Sequence, residues 1–388
     1  MPILLFVIAI ILASLNMRPV ITSVPPLLGE FQSELGMSAL AVSLLTSLPV
    51  LCMGVFAPLA VTLGRRIGVE RAILGAMVLI GSATAIRAFT TAAPLFILTA
   101  FLSGIGIGIA GPLLSGFIRQ RFANGSLLIS VYSASLVLGA ALAAGFSVPL
   151  YEWLGGSWQH ALASWGLLAA AAVLCWGLVA AKPAPRAPDS AGYRLPLGDK
   201  KAWLLTLMFG LMASIFYSMT AWLSPIAESM GYTKQEGGMI LTVFTLIQLP
   251  MSFLIGWLVA KYQRLAMWLV LCSISELIGL AILLAAGSPL IGGLLIGIGA
   301  GGLFPLALLL PFIVTRRPEE VSSWSALNQG GGYMLGAVGP LLVGRAVDWT
   351  GNYQLALYGL VAAVLVMMTL QIVVGSSLQA KIAIKPGD

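Results

Sequence analysis

Twelve apolar stretches, each close to the length that crosses a bilayer, leave this chain of 388 residues little room for a water-facing core. They run 2–28, 38–63, 69–90, 95–117, 126–150, 160–181, 202–228, 235–260, 265–287, 289–314, 321–346 and 352–375. A spanning helix needs about 20 mainly apolar residues. Charged residues make up only 9% of the chain and hydrophobic ones 59%, whereas a soluble domain carries about 25% charged residues to keep its surface wet. Lipid cannot satisfy an open backbone, so the stretches must be helices. The alternating segments of a membrane barrel, about ten residues each, are absent. The first stretch has no basic leader and its pattern runs past Arg18, so it is expected to be retained as a span. The fold class expected is an all-α polytopic membrane protein with 12 transmembrane helices.

The few charges sort by side. Arg65, Arg66 and Arg71 follow span 2; Arg119 and Arg121 follow span 4. Lys182, Arg186, Arg194, Lys200 and Lys201 follow span 6. Lys261 and Arg264 follow span 8, Arg316 and Arg317 follow span 10, and Lys381 and Lys385 lie in the tail. These are sixteen of the 20 basic residues, all on one side. The opposite loops hold Glu30, Glu34, Glu152, Glu228 and Glu236, with Lys234. Basic loops stay on the cytoplasmic side, so both termini and the 182–201 loop are expected there. An integral protein of a bacterial inner membrane fits this pattern. The +7 net charge is therefore topological and not a nucleic-acid face, which would need one continuous basic patch.

Other chemistries find little support. Cys52, Cys175 and Cys272 lie far apart in apolar runs, giving neither a disulfide framework nor a zinc site. His160 is the one histidine, and no Walker A sequence appears. No cofactor and no metal are expected. A membrane enzyme would need paired carboxylates, a His cluster or a Ser/His pair. A channel would show a filter-like polar motif. Gly106-x-Gly108-x-x-Gly111 and Gly297-x-Gly299-x-x-Gly302 match a dinucleotide pattern, but they lie inside spans. Close helix approach at Gly104/Gly108 and Gly297/Gly301 is the better account. Asn124-Gly125-Ser126 fits a glycosylation sequon on the cytoplasmic side, where it should be inert.

Two charges are stranded at mid-membrane. Arg18 lies midway along span 1, a position that costs about 2.5–3.5 kcal/mol by insertion scales. A guanidinium there can present its donors to a small anion or a planar polar solute. Alternatively it bonds backbone carbonyls freed by Pro19, Pro25 and Pro26. Glu276, near the middle of span 9, is open to proton coupling or to a packing role. Arg87 and Arg345, towards the outer ends of spans 3 and 11, are expected to snorkel to headgroups. Arg119 and Arg121 should anchor the cytoplasmic end of span 4.

The chain repeats itself at an offset near 200. Gly155-Gly156-Ser157-Trp158-Gln159 recurs as Thr350-Gly351-Asn352-Tyr353-Gln354, and Pro49 is matched by Pro250. Gly104-Ile105-Gly106 leading to Pro112 is matched by Gly297-Ile298-Gly299 leading to Pro305. The same order and sidedness in both copies indicate a parallel repeat. The expected domains are two pseudo-symmetric six-helix halves, 1–181 and 202–388, joined by a cytoplasmic linker at 182–201.

This plan resembles the major facilitator superfamily. The stretch Ala57 to Arg66 is similar to that superfamily's loop motif, with Gly64-Arg65-Arg66 kept and its acidic residue replaced by Val61. The second copy, Gly256 to Arg264, has Ala260 at that place, so the usual charge lock is not expected. A narrower resemblance is to the cyanate transporter and nitroimidazole exporter family. It rests on Leu15-Asn16-Met17-Arg18-Pro19, Ile118-Arg119-Gln120-Arg121-Phe122, Tyr217 through Trp222-Leu223 with Pro225, and Asn328-Gln329-Gly330-Gly331-Gly332-Tyr333 leading to Gly339-Pro340.

The resemblance implies a cavity lined by helices 1, 4, 7 and 10 with 2, 5, 8 and 11 beside them. Asn16, Arg18, Thr22, Tyr217, Trp222, Gln248, Asn328, Gln329 and Tyr333 then become the expected substrate-binding residues, as convergent polar groups among apolar walls. Each alone could equally serve interhelical hydrogen bonding. The implied function is secondary transport by rocking, alternating access of a small anion or planar polar solute. A drug or nitroimidazole exporter is the alternative. Partners expected are that solute, membrane lipid and conceivably protons, with the protein a monomer and no nucleic acid bound. Span 9 would lie at the periphery of its half, which favours packing for Glu276.

Overall fold

The computed structural model describes residues 3–122, 125–181, 195–262, 264–315 and 318–383. Most of the expected linker, Asn124 of the sequon and the Arg316-Arg317 pair lie outside the described residues. In chain order the helices are α1 (Ile3–Asn16), α2 (Pro19–Thr22), α3 (Leu28–Leu35), α4 (Ala39–Val55), α5 (Ala57–Ile67) and α6 (Val69–Ile86). They continue as α7 (Ala93–Arg121), α8 (Gly125–Trp153), α9 (Trp158–Ser164), α10 (Gly166–Ala180), α11 (Lys200–Ser229) and α12 (Lys234–Leu246). The last six are α13 (Gln248–Tyr262), α14 (Leu265–Leu284), α15 (Pro289–Val314), α16 (Pro318–Gly336), α17 (Val338–Thr350) and α18 (Gln354–Ala383).

Among the described residues, ten helical spans are long and apolar enough to cross a membrane, or eleven with the bent pair α4–α5 counted as one. That pair turns by 57° at Phe56. The stretch expected to span at 321–346 is helical, as α16 and α17 divided at Ala337. Glu319, Glu320, Asn328, Gln329 and a run of glycines make it too polar for a simple hydropathy test. Helix starts follow their local chemistry: Ser38 and Ser288 each accept a hydrogen bond from the backbone N–H three residues on, satisfying a donor the helix leaves open.

The chain forms two compact units, one of Met1–Ser190 with Thr220–Thr242, the other of Ala191–Met219 with Val243–Asp388. The core of the first gathers Phe6, Met17, Ile73, Ile80, Phe117 and Trp176. At one end of it Arg121 pairs with Glu70 at 3.5 Å and lies over the Phe6 ring at 4.7 Å. Trp176 Nε1 donates to the Glu70 carbonyl oxygen at 2.8 Å. Arg121, though exposed, thus anchors the end of its span to a neighbouring one. Lys234 of α12 makes an ion pair with Glu30 of α3, and Trp158 Nε1 donates to Glu34 at 2.7 Å.

The glycine motifs act through absence of a side chain. A Cβ on Gly104 would lie 2.6 Å from Pro49 Cα, and one on Gly108 would lie 2.5 Å from the Cys52 carbonyl oxygen. In the second unit a Cβ on Gly297 would lie 2.5 Å from the Phe244 carbonyl oxygen, and one on Gly301 2.6 Å from Gln248 Cα. Backbones this close can gain dispersion contacts and weak Cα–H···O bonds.

The first span is the irregular one. Pro19 has no N–H, and Pro25-Pro26 interrupt the helix again, so α1, α2 and a 3-10 turn at Pro25–Leu27 replace a continuous rod. Arg87 ties this irregular span to its neighbour. It is fully buried and does not snorkel, contrary to its expected place at a headgroup. Its two terminal nitrogens donate to the Val20 carbonyl oxygen at 3.4 and 3.3 Å, and Nε donates to Thr99 Oγ1 at 3.3 Å. The Phe96 ring lies 5.4 Å from its guanidinium carbon. Five fixed donors make Arg suited to a carbonyl and a hydroxyl at once. Arg87→Ala should lower stability by about 1–3 kcal/mol, the cost of an unsatisfied buried acceptor, read as a fall in melting temperature in detergent. Arg87→Lys should recover part of it.

Candidate substrate-binding site

Arg18 stands at the hinge of the first span, between the end of α1 and the start of α2, and is half-buried. Its carbonyl accepts hydrogen bonds from the Ile21 and Thr22 N–H groups at 3.0 and 3.1 Å, so the backbone is held even where the helix is broken. Tyr132 of α8 interacts electrostatically with the guanidinium. The Tyr132 hydroxyl oxygen would lie 3.8 Å from a Cβ on Gly111 of α7. Spans 1, 4 and 5 thus meet around an arginine and a phenol. Tyr132 was not expected from sequence. A lone tyrosine within an apolar run carries no period or motif that would single it out.

The other polar residues of the first unit are spent nearer home. Asn16 is buried, and its amide donates to Met77 Sδ at 3.8 Å. Thr22 Oγ1 donates back to the Arg18 carbonyl oxygen at 3.1 Å. Trp222 is buried beside Pro25, Leu28, Val42, Ser43 and Thr46, around a crevice with no room for a water.

In the second unit Tyr217, Tyr333 and Phe209 form a ring array. Tyr333 meets Phe209 edge-on at 5.3 Å and Tyr217 at 6.5 Å, separations at which aromatic pairs attract. Asn328 is buried; its Nδ2 donates to the Ala307 carbonyl oxygen at 3.3 Å, while Oδ1 has no hydrogen-bond partner in the structure. Gln329, next along α16, is half-buried. Gln248 turns its amide back to the Phe244 carbonyl oxygen at 2.9 Å. Glu276 is fully buried, with neither carboxyl oxygen hydrogen-bonded.

An all-helical bundle of apolar spans with buried polar residues inside it is the frame of a membrane transporter. Family comparison makes this specific: the Major Facilitator Superfamily model matches residues 4–340 and 202–381. The chain belongs to that superfamily and, within it, to the family of cyanate and nitroimidazole transporters. It is 36% identical to the uncharacterized transporter YycB of Bacillus subtilis, over 92% of this chain and 90% of that one. It is 30% identical to the cyanate transport protein CynX of Escherichia coli, over 93% and 95% of the two chains. Identity to the 2-nitroimidazole transporter of Escherichia coli is also 30%, over 92% of each chain. The crystal structure of the nucleoside transporter NupG shares the fold, with a TM-score of 0.75 at 12% identity over 97% of this chain and 99% of that one. The protein is an integral membrane protein and a secondary transporter.

Thr22→Val and Gln248→Leu remove side chains whose hydrogen bonds reach only four residues back along their own span. Each should change ligand affinity less than about threefold, under 1 kcal/mol, in a binding titration on purified protein. Tyr217→Ala and Tyr333→Ala should both weaken it more.

Proposed function

We propose that the transported solute is a small anion or a small planar polar molecule, cyanate-like, bound through Arg18. The observation that carries this is a half-buried guanidinium at the break of the first span, within electrostatic reach of Tyr132. A guanidinium presents paired N–H donors that match a carboxylate-like or linear anion, and a phenol adds one more donor. Taken by itself, the second unit offers a buried amide oxygen at Asn328 and ring faces at Tyr217 and Tyr333. Asn16, Thr22 and Trp222 in the first unit, and Gln248 and Gln329 in the second, are the remaining candidates. The 30% identity to a cyanate transport protein over nearly the whole of both chains supports the substrate class.

A second reading, export of nitroimidazole-like aromatic solutes, is favoured by the array of Phe209, Tyr217 and Tyr333. It agrees with the relative that transports 2-nitroimidazole. The distribution of Lys and Arg supports cytoplasmic termini in an inner membrane. Access to the solute alternates between the two sides, and solute or ion gradients drive it.

The test is transport in proteoliposomes with labelled cyanate, small carboxylates and 2-nitroimidazole, alongside thermal shift with the same ligands, since a ligand raises stability by mass action. Arg18→Ala should weaken anion binding by about 10- to 100-fold, the range for a lost charge-assisted hydrogen bond of about 1.5–3 kcal/mol. Arg18→Lys should fall between. Unchanged anion uptake in Arg18→Ala rejects the anchor role. Strong nitroimidazole binding that ignores Arg18 but needs Tyr333 selects the second reading.

A further inference from the structure

Each unit contains the same kind of helix contact, and one of its side chains changes from aliphatic to acidic between them. In the first unit, a Cβ on Gly106 of α7 would lie 2.6 Å from Ile80 Cγ1 and 2.9 Å from the Ala76 carbonyl oxygen, both of α6. In the second, a Cβ on Gly299 of α15 would lie 2.5 Å from Glu276 Cγ and 2.5 Å from the Cys272 carbonyl oxygen, both of α14. Cys272 therefore stands where the first unit has Ala76, and Glu276 stands where it has Ile80. Both Ile80 and Glu276 are fully buried. The packing at this place is met by an aliphatic side chain, as the first unit shows, so fit does not account for a carboxyl group in the second.

Among the described residues no counter-charge or donor meets that group. Neither oxygen has a hydrogen-bond partner in the structure. Facing it from α15 is Gly299, while Gly302 packs on Cys272, the thiol one turn earlier on α14 that interacts electrostatically with Glu276. Neither α15 nor residues 354–375 of α18 contain Asp, Glu, Lys, Arg or His; Tyr358 is the titratable group in the latter. α18 meets α14 through a neutral pair, Ser273 Oγ donating to Gln371 Oε1 at 3.0 Å and Gln371 Nε2 donating to Ser273 Oγ at 2.9 Å. α13 carries Lys261 and Tyr262 at the end that leads into α14, about 16 Å of helix rise from Glu276. A buried carboxyl without a counter-charge or donors is tolerated as the neutral acid and not as the anion.

We propose that Glu276 is a proton-carrying site of the transport cycle. The carboxyl holds a proton in the state seen here. It releases that proton to water, leaving the carboxylate, in a state in which α14 and α15 separate enough to hydrate it, and it is reprotonated from water on the other side. The tight Gly299 contact is what excludes water from the acid in this state. This goes beyond the substrate reading, because it concerns coupling and none of the residues assigned to the solute.

The experiment uses the full chain, purified and in proteoliposomes, as wild type, Glu276→Gln and Glu276→Ile. The glutamine keeps shape without a titratable proton, and the isoleucine copies the first unit. Infrared difference spectra across pH, without solute, should show a protonated carboxyl band in wild type that both variants lack. With labelled cyanate as probe, both variants should lose accumulation driven by an imposed pH gradient yet keep cyanate exchange between equal pools. Absence of that band in wild type, or gradient-driven accumulation that survives in either variant, overturns the proposal. If wild type moves no cyanate, the substrate reading fails by itself, and 2-nitroimidazole as probe with the solute-free infrared band still decides on Glu276.

Discussion

Everything polar inside this protein has to be answered by the protein itself, because lipid supplies neither donors nor acceptors. The first span meets this constraint most sharply. Three prolines break it, and each break leaves carbonyls that an intact helix would have used. Arg87 donates to the Val20 carbonyl oxygen from another helix, and the Thr22 and Ser23 hydroxyls add second bonds to the Arg18 and Pro19 carbonyl oxygens, which already accept from backbone N–H groups. Gly139 brings α8 against the Leu15 backbone, the carbonyl that Pro19 cannot satisfy. Arg18 sits at the hinge these contacts hold. A charged residue can be kept at such depth where the backbone around it is over-determined and a polar partner such as Tyr132 is at hand.

The second consequence is economy. Most buried hydroxyls and amides are used within a turn of their own helix, as with Thr22, Gln248 and Ser14, whose Oγ donates to the Ile10 carbonyl oxygen at 2.6 Å. Polar residues that do not close on themselves therefore stand out: Arg18 with Tyr132, Asn328 with its bare Oδ1, and Glu276. The loop motif shows the same economy from the other direction. Where Val61 replaces the usual acid, Glu70 and Arg121 form an ion pair between spans a short way off, tied in by Trp176 and Phe6.

The fold class was legible because lipid imposes one answer on long apolar runs. The apolar runs and the glycine motifs could be read from residues alone, and the structure shows close approaches at Gly104, Gly108, Gly297 and Gly301. The 321–346 stretch, read as a span, is helical as α16 and α17. What escaped is the interior place of one charge. Arg87 read as a headgroup residue because its position near a span end says nothing about which side of the helix it leaves from.

Among the site residues, sequence could nominate but not rank. Its apolar runs and sparse charges determined that the chain is a helical membrane protein, and that Arg18 and Glu276 lie deep within it. Only the tertiary structure decided that Asn16 turns to Met77, that Tyr132 joins Arg18, that Arg87 is interior, and that Glu276 occupies the place of Ile80. The physical reason is that hydrophobic periodicity reports depth and secondary structure, which are local. Hydrogen-bond partners depend on which helices touch, and that is settled by packing between residues far apart in the chain.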